Sequence, residues 1–278
     1  MNKTDREKNE NFIINNYQNF GVIKCCEKFN LTKGQVKYIV TKHKLKLTLE
    51  TKHKILSNSK SILDSDCKVK IDEFKYNINK FTAYILGLLW ADGYIPKNSN
   101  IIKLECVNDD MIHFKKIFDK TGVWNKTERL RENKKRPISL VSTSNKLLKE
   151  YLIENDYCHK SLKSPNKILS IIPSNLINFF LLGMIDGDGC FYFNQKYGLR
   201  QFTLTGSLNQ DWNSFEKIFN ELNISYKINR KPNSNIGYSQ IRIINKENIK
   251  KLGEYIYPNL TNEIGLPRKF EKYKLIIQ

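Results

Sequence analysis

Two aspartates, Asp92 and Asp188, each close an apolar segment and are each followed by glycine, 96 residues apart in a chain of 278. The first segment reads Tyr84-Ile85-Leu86-Gly87-Leu88-Leu89-Trp90-Ala91-Asp92-Gly93-Tyr94; the second reads Phe180-Leu181-Leu182-Gly183-Met184-Ile185-Asp186-Gly187-Asp188-Gly189-Cys190. Small residues recur four apart in both, Gly87/Ala91 and Gly183/Gly187. On a helix that spacing makes one stripe along which a second helix can approach closely. Two such helices packed together bring their C-terminal carboxylates side by side, at ends the helix dipole already makes negative. Carboxylates so placed repel unless a cation sits between them, which predicts a site for a hard divalent ion such as Mg²⁺. Gly93 and Gly189 suit a left-handed turn just past each helix. An acidic pair holding Mg²⁺ beside a basic surface is suited to in-line hydrolysis of a phosphodiester.

The elements around each copy repeat as well. After Gly93 the pattern predicts a strand over 101–107, a helix over 110–120, strands over 126–131 and 138–142, and a helix over 145–155. After Gly189 it predicts strands over 191–196 and 201–207, a helix over 212–222, strands over 225–230 and 239–244, and a helix over 246–257. Both halves read α-β-β-α-β-β-α, a duplicated α+β unit. Asp109-Asp110 reads as a helix cap, and Trp124 and Trp212 read as core.

These segments resemble the paired signature helices of the LAGLIDADG homing endonucleases in their single-chain, two-repeat form, over residues 74–278. Aligned with the signature, its functional acidic position falls on Asp92 and Asp188. Its earlier acidic position is kept as Asp186 but is Trp90 in the first copy. The resemblance implies a metal set of Asp92, Asp188, Ala91 and Gly187, holding two or more Mg²⁺ ions. It also implies a basic residue late in each repeat. Lys160, in His159-Lys160-Ser161, and Lys269, in Pro267-Arg268-Lys269, stand there, with Arg268 the rival for the second role. The expected fold is α+β, two pseudo-symmetric repeats (74–165 and 166–278) forming a DNA-binding saddle, with cleavage that leaves 3′ overhangs.

Strand alternation leaves one sheet face for the helices and one for DNA. The candidates for the second face are Lys103, Glu105, Thr127, Arg129 and Arg131, then Asn194, Lys196, Gln201, Thr203 and Thr205, and finally Ser225, Lys227, Asn229, Lys231, Gln240 and Arg242. Arg and Gln suit purine edges, whereas Lys more often meets phosphate.

Residues 1–47 predict a small all-α domain. Short helices over 10–18 and 20–29 carry Phe12, Ile13, Tyr17, Val22, Ile23, Cys26 and Phe29 at helical spacing, and a third helix runs from an N-cap at Thr32 to about Lys44. That is a helix-turn-helix pattern, with Gln35, Lys37 and Tyr38 facing outward toward DNA. Residues 48–73 read as a polar, basic linker.

Composition agrees with a polyanionic partner. Lys and Arg number 47 against 28 Asp and Glu, a net charge of +19, spread as +6 over residues 1–73 and +13 over 74–278. No apolar run reaches the length that spans a bilayer, and the N-terminus lacks the apolar stretch of a signal peptide. The six cysteines show no C-x-x-C spacing, which points to thiols in a reducing compartment. No splicing-type residue stands first, against an unprocessed intein. The reading is a monomeric, site-specific, Mg²⁺-dependent endonuclease acting on a long non-palindromic duplex. The alternative is a non-cleaving binder, either an RNA maturase or a transcription regulator.

Overall fold

A computed structural model describes residues 3–48, 51, 69–96, 98–129, 138–232, 237–258 and 264–278. The chain forms two compact units, 1–68 and 69–278.

In the first unit, helix α1 (Lys3–Phe29) is broken at Gly21, whose φ of 73° lies in the left-handed region that glycine enters without a Cβ clash. The two expected helices are therefore segments of one interrupted helix. Asn30, at φ 52°, turns the chain into α2 (Lys33–Lys42). Thr32 caps α2 through a capping box with Gln35, and the last turn is tied back to α1 by Glu10, which accepts from Lys42 (2.7 Å) and pairs with His43 (2.6 Å). Ile13, Tyr17, Cys25, Leu31 and Val36 form the core, with Ile39 and Val40 packed against it. Ile23, expected in that core, is 59% exposed.

The second unit begins at Val69, which is buried, so residues 69–73 belong to this fold and not to a linker. Residues 52–68 of the expected linker lie outside the described set. After a short helix α3 (Ile71–Lys75), the first repeat runs α4 (Lys80–Asp92), β1 (Gly93–Tyr94), β2 (Ile101–Val107), α5 (Asn108–Phe118), β3 (Asn125–Arg129), β4 (Ile138–Ser144) and α6 (Lys146–Glu154). A short α7 (Asn166–Ile171) leads into the second: α8 (Ile177–Asp188), β5 (Gly189–Asn194), β6 (Leu199–Ser207), α9 (Asn213–Glu221), β7 (Lys227–Lys231), β8 (Tyr238–Ile243) and α10 (Lys246–Ile256), with α11 (Pro267–Ile277) last.

The result is an α+β fold with two antiparallel sheets of the same order, β1-β2-β4-β3 and β5-β6-β8-β7. Register confirms the equivalence, because Gly93 pairs with Leu104 and Gly189 with Leu204. Helices α4 and α8 are apolar nearly all round, as helices buried on every side must be, and they pack on each other at the centre. A methyl group at Gly87 would overlap the Phe180 carbonyl, and one at Gly183 would overlap the Tyr84 carbonyl. The small-residue stripe thus lets two backbones touch. Among the described residues, no helix is long and apolar enough to cross a membrane.

Candidate active site

The same contact brings the two helix ends together. A Cβ on Gly187 would strike that of Ala91 and lie 3.1 Å from Asp92 Oδ2, so the Asp92 carboxylate overlies the last turn of α8. Asp92 and Asp188 are the terminal residues of their helices. Gly93 and Gly189 follow with φ of −66° and −85°, extended and not left-handed as expected. Their glycine requirement is one of space: a side chain would press on the carbonyls of Leu89 and Ile185.

The electrostatics follow from this crowding. Desolvation, and then the neighbouring charge of Asp92, push Asp188 up to about 6, against the pull of Lys160 and Lys269. Asp92 is raised too, by desolvation opposed by the same two lysines. Desolvation brings Lys160 down to about 8 although both aspartates favour its charge, and it lowers Lys269 as well. Both expected lysines therefore stand at the acidic pair. Each reaches carbonyls at the end of its own repeat's central helix, α4 or α8, where a cation offsets the dipole. Lys160 Nζ donates to Leu89 O (3.1 Å) and Ala91 O (2.7 Å). Lys269 Nζ donates to Ile185 O (2.6 Å), Asp186 O (2.7 Å) and Gly189 O (2.7 Å), with Gly187 O at 3.5 Å.

Arg268, the rival of Lys269, is committed elsewhere: it holds Asp110 bidentately, Nε to Oδ1 at 2.7 Å and Nη2 to Oδ2 at 2.6 Å. Asp110 is therefore an ion-pair partner and not the expected helix cap; the N-cap of α5 is Val107. His159 is exposed in a single 3₁₀ turn.

Asp186 is fully enclosed. Its Oδ2 accepts from Tyr84 Oη (2.7 Å) and Leu266 N (2.8 Å), while Oδ1 has no partner, and burial raises it to about 6. Trp90, at the equivalent place on α4, packs edge-on against Tyr157 with ring centroids 4.9 Å apart.

A cavity of about 310 Å³ opens beside the acidic pair, lined among others by Ala91, Lys160, Ser161, Asp188 and Gln210. Trp212, expected in the core, is buried in its wall and donates to Ser239 Oγ at 2.9 Å; Trp124 is also buried. Gln210 was not singled out in the sequence. The signal would have been a polar residue three beyond a strand end, matching Asp110 in the other repeat.

The strand register sorts the expected DNA contacts. On the second sheet, Cys190, Thr203, Arg242 and Lys227 form one row facing away from the helices; Thr205, Gln240 and Asn229 form another, and Ser207, Tyr238 and Lys231 a third. Gln201 lies opposite Tyr192 on that face, and Asn194 opposite Leu199. Arg242, Lys227 and Lys231 are exposed, whereas Thr203 is buried and withdrawn from contact. Gln201, Asn229, Lys231, Gln240 and Arg242 line a shared depression of about 520 Å³. Lys196 falls beyond the strand, in a hairpin turn, with its ammonium over the Tyr197 ring. On the first sheet the outward rows are Tyr94, Lys103, Ser142 and Asn125, then Glu105, Leu140 and Thr127, then Val107, Ile138 and Arg129. Arg131 lies outside the described residues. In the first unit Lys37 and Tyr38 are exposed on α2, but the Gln35 side chain is taken by the cap, its Oε1 accepting from Thr32 N at 2.8 Å.

Comparison with known proteins gives a partial match. Residues 175–257 match the family described as LAGLIDADG-like domain, and no curated protein matches the chain. Among solved structures, the chain is similar to the I-LtrWI LAGLIDADG homing endonuclease bound to target DNA, at 18% identity over 71% of this chain and 89% of that one (TM-score 0.43). It is similar to I-DmoI in complex with DNA and Ca at 16% identity over 70% and 96% (TM-score 0.41). Full-length DUF199/WhiA from Thermatoga maritima also matches, at 16% over 71% and 59% (TM-score 0.45).

Proposed function

We propose that this chain is a site-specific, divalent-metal-dependent endonuclease that cuts both strands of a long, non-palindromic DNA duplex. The observation that carries the reading is the pairing of Asp92 and Asp188 at touching helix ends, with Lys160 beside them on the wall of an open cavity.

The residues present fit a divalent ion. The donors are hard oxygens, two carboxylates and the Gly187 carbonyl, with the Ala91 carbonyl shared with Lys160. The part of Asp188's upward shift that comes from Asp92 is repulsion that a bound cation would offset. A Mg²⁺ ion held by Asp92 and Asp188 would supply Lewis acidity toward a phosphoryl oxygen and toward water. The protein's own groups do the rest. Asp188, titrating at about 6, is ionised at neutral pH. Lys160 spends two of its three N–H groups on carbonyls and faces the cavity, where its third donor stabilises charge on the phosphate. With a pKa of about 8 it also exchanges a proton near neutrality. Lys269 holds the end of α8, and with it Asp188, in place.

The outward face of the second sheet binds the duplex through Arg242, Lys227 and Lys231, with Gln201, Asn229 and Gln240 within reach of base edges. Lys37 and Tyr38 extend the footprint from the first unit. Both repeats lie on one chain, so the enzyme acts as a monomer; the resemblance to the LAGLIDADG homing endonucleases further implies 3′ overhangs and mobility of the encoding element, and the cysteine pattern a reducing compartment.

The test is cleavage of a randomised duplex library with Mg²⁺ or Ca²⁺, by the wild type and by Asp188→Asn. Cutting at one sequence with Mg²⁺, lost in the variant while binding persists, is the expected result. Selective duplex binding with no cut under either ion would replace this reading with a regulator, and preference for a folded RNA would replace it with a maturase.

A further inference from the structure

The two lysines do not sit at the acidic pair by their own contacts alone. The segment that carries each is braced by a buried polar side chain of the opposite repeat, and the two braces lie the same distance beyond the second strand of their repeats, Asp110 inside α5 and Gln210 ahead of α9. The register sets the equivalence: six residues beyond Leu104, the partner of Gly93, is Asp110, and six beyond Leu204, the partner of Gly189, is Gln210. Both follow the second strand of their repeat and both are buried, at 6% and 7% exposure. Gln210 belongs to the second repeat, yet its Nε2 donates to Lys160 O (3.0 Å) and Lys163 O (2.7 Å) in the segment that ends the first. Asp110 belongs to the first repeat, yet it grips Arg268, the neighbour of Lys269 at the start of the last helix.

Chemistry differs at the two places but the geometry is reciprocal. Gln210 acts as a donor to main-chain carbonyls and is held from behind by Arg230, whose Nη2 donates to Gln210 O at 3.2 Å. Its work is shared locally, since Ser207 Oγ also donates to Ser161 O and Ser214 N donates to Ser164 Oγ at 2.8 Å. Asp110 acts as a bidentate acceptor for a guanidinium, a geometry that fixes direction as well as distance.

We propose that Asp110 and Gln210 are positioning residues that act crosswise, Gln210 aiming Lys160 at the Asp92 end and Asp110 aiming Lys269 at the Asp188 end. Each acts through the segment that carries a lysine, Gln210 through the Lys160 and Lys163 carbonyls and Asp110 through Arg268. The arrangement makes each half of the acidic pair depend on the other repeat, so that neither half is assembled alone. The catalytic consequence rests on the nuclease reading; the placement of the lysines does not.

Lysine acylation read by mass spectrometry on the full-length chain tests the placement without DNA. Gln210→Leu, close in volume, should raise the labelling rate of Lys160 by about fivefold or more, the factor a lost hydrogen bond of ordinary strength permits, with Lys269 unchanged. Asp110→Asn should do the reverse, and Arg268→Gln should reproduce it. Global loosening would raise both lysines together in every variant; that result, or no change in either lysine, overturns the proposal. Under the nuclease reading, Gln210→Leu also lowers kcat per folded molecule, the folded fraction being measured separately by circular dichroism, with KM little changed. Crosswise labelling in a protein that cuts no duplex would keep the braces and remove the nuclease. Cutting without crosswise labelling would keep the nuclease and remove the braces.

Discussion

Lys160 and Lys269 occupy corresponding places in the two repeats and both end on carbonyls of a central helix, α4 or α8, yet their donors are used differently. An ammonium has three N–H groups. Lys269 places all three within 2.7 Å of main-chain oxygens and is buried, whereas Lys160 makes two such bonds and lines the cavity. The lesson is that a repeated basic residue need not be a repeated catalyst. One lysine has an N–H left facing the cavity; the other is committed to closing a helix end. Substitution separates the roles. Under the nuclease reading, Lys160→Met should slow cleavage by roughly 10²–10³-fold, the usual effect of removing one stabilising donor, with a smaller loss of stability than at Lys269 because Leu89 O keeps the Gly93 N–H and Ala91 lies on the open cavity. Lys269→Met should instead remove a donor from three carbonyls, of which Ile185 O keeps the Gly189 N–H, and denaturant unfolding should show a loss on the order of a few kcal/mol. Equal cleavage defects with equal stability would break the distinction.

The second difference lies one turn back, where α8 has Asp186 and α4 has Trp90. Trp90 completes an aromatic contact with Tyr157. Asp186 instead carries an ionisable group into the core with one oxygen unpartnered. Its folded pKa, about 6, lies above the ordinary 3.8, so the folded state binds the proton more tightly than the unfolded chain. Stability from this group is therefore full below about pH 4 and declines as pH rises through about 6, by roughly 3 kcal/mol in total. Asp186→Asn removes that slope while its amide oxygen still accepts from Tyr84 and Leu266. The stability difference between variant and wild type should move in the variant's favour by about 3 kcal/mol between pH 4 and pH 7.5, measured by denaturant unfolding. A difference that stays flat with pH would show that Asp186 is not the group responsible.

Much of this could be read from residues alone, for physical reasons that also mark where reading stopped. Gly87 and Gly183 announce a close helix pair because no other side chain leaves room for a carbonyl. The outward rows of the second sheet were legible because strand alternation is strict there, so Gln201, Gln240 and Arg242 fall on one face. The two-residue strand Gly93–Tyr94 was not, since two residues carry no period. Gly93 and Gly189 were identified as necessary for the wrong reason; spacing shows that a glycine follows the helix but not that it lies extended under a carbonyl. Polar partnerships were the least visible. Arg268 reads as a rival of Lys269 for the active site until folding brings Asp110 to it from 158 residues away, and Gln35 reads as a DNA-facing residue until the capping box claims it.

The smallest effect tests whether the two sheets bind DNA equally. The second presents Arg242, Lys227 and Lys231 on its outward face with no acidic residue among its paired rows. The first presents Lys103 and Arg129 together with Glu105, and its central strand buries Ile138 and Leu140 on that side. Close to phosphate, each added cation contributes through counterion release, while an acid opposes binding by repulsion and a covered apolar side chain adds nothing. The second repeat should therefore supply the larger electrostatic share. Arg242→Ala should weaken duplex binding by about 1–2 kcal/mol and, if it meets phosphate, reduce the salt slope by about one; a guanine contact would relax specificity at one position and leave the slope nearly intact. Lys103→Ala, beside Glu105, should cost less than half as much. Titrations at several salt concentrations distinguish these outcomes, and equal losses at Arg242 and Lys103 would mean that the charge difference between the sheets is not used in binding.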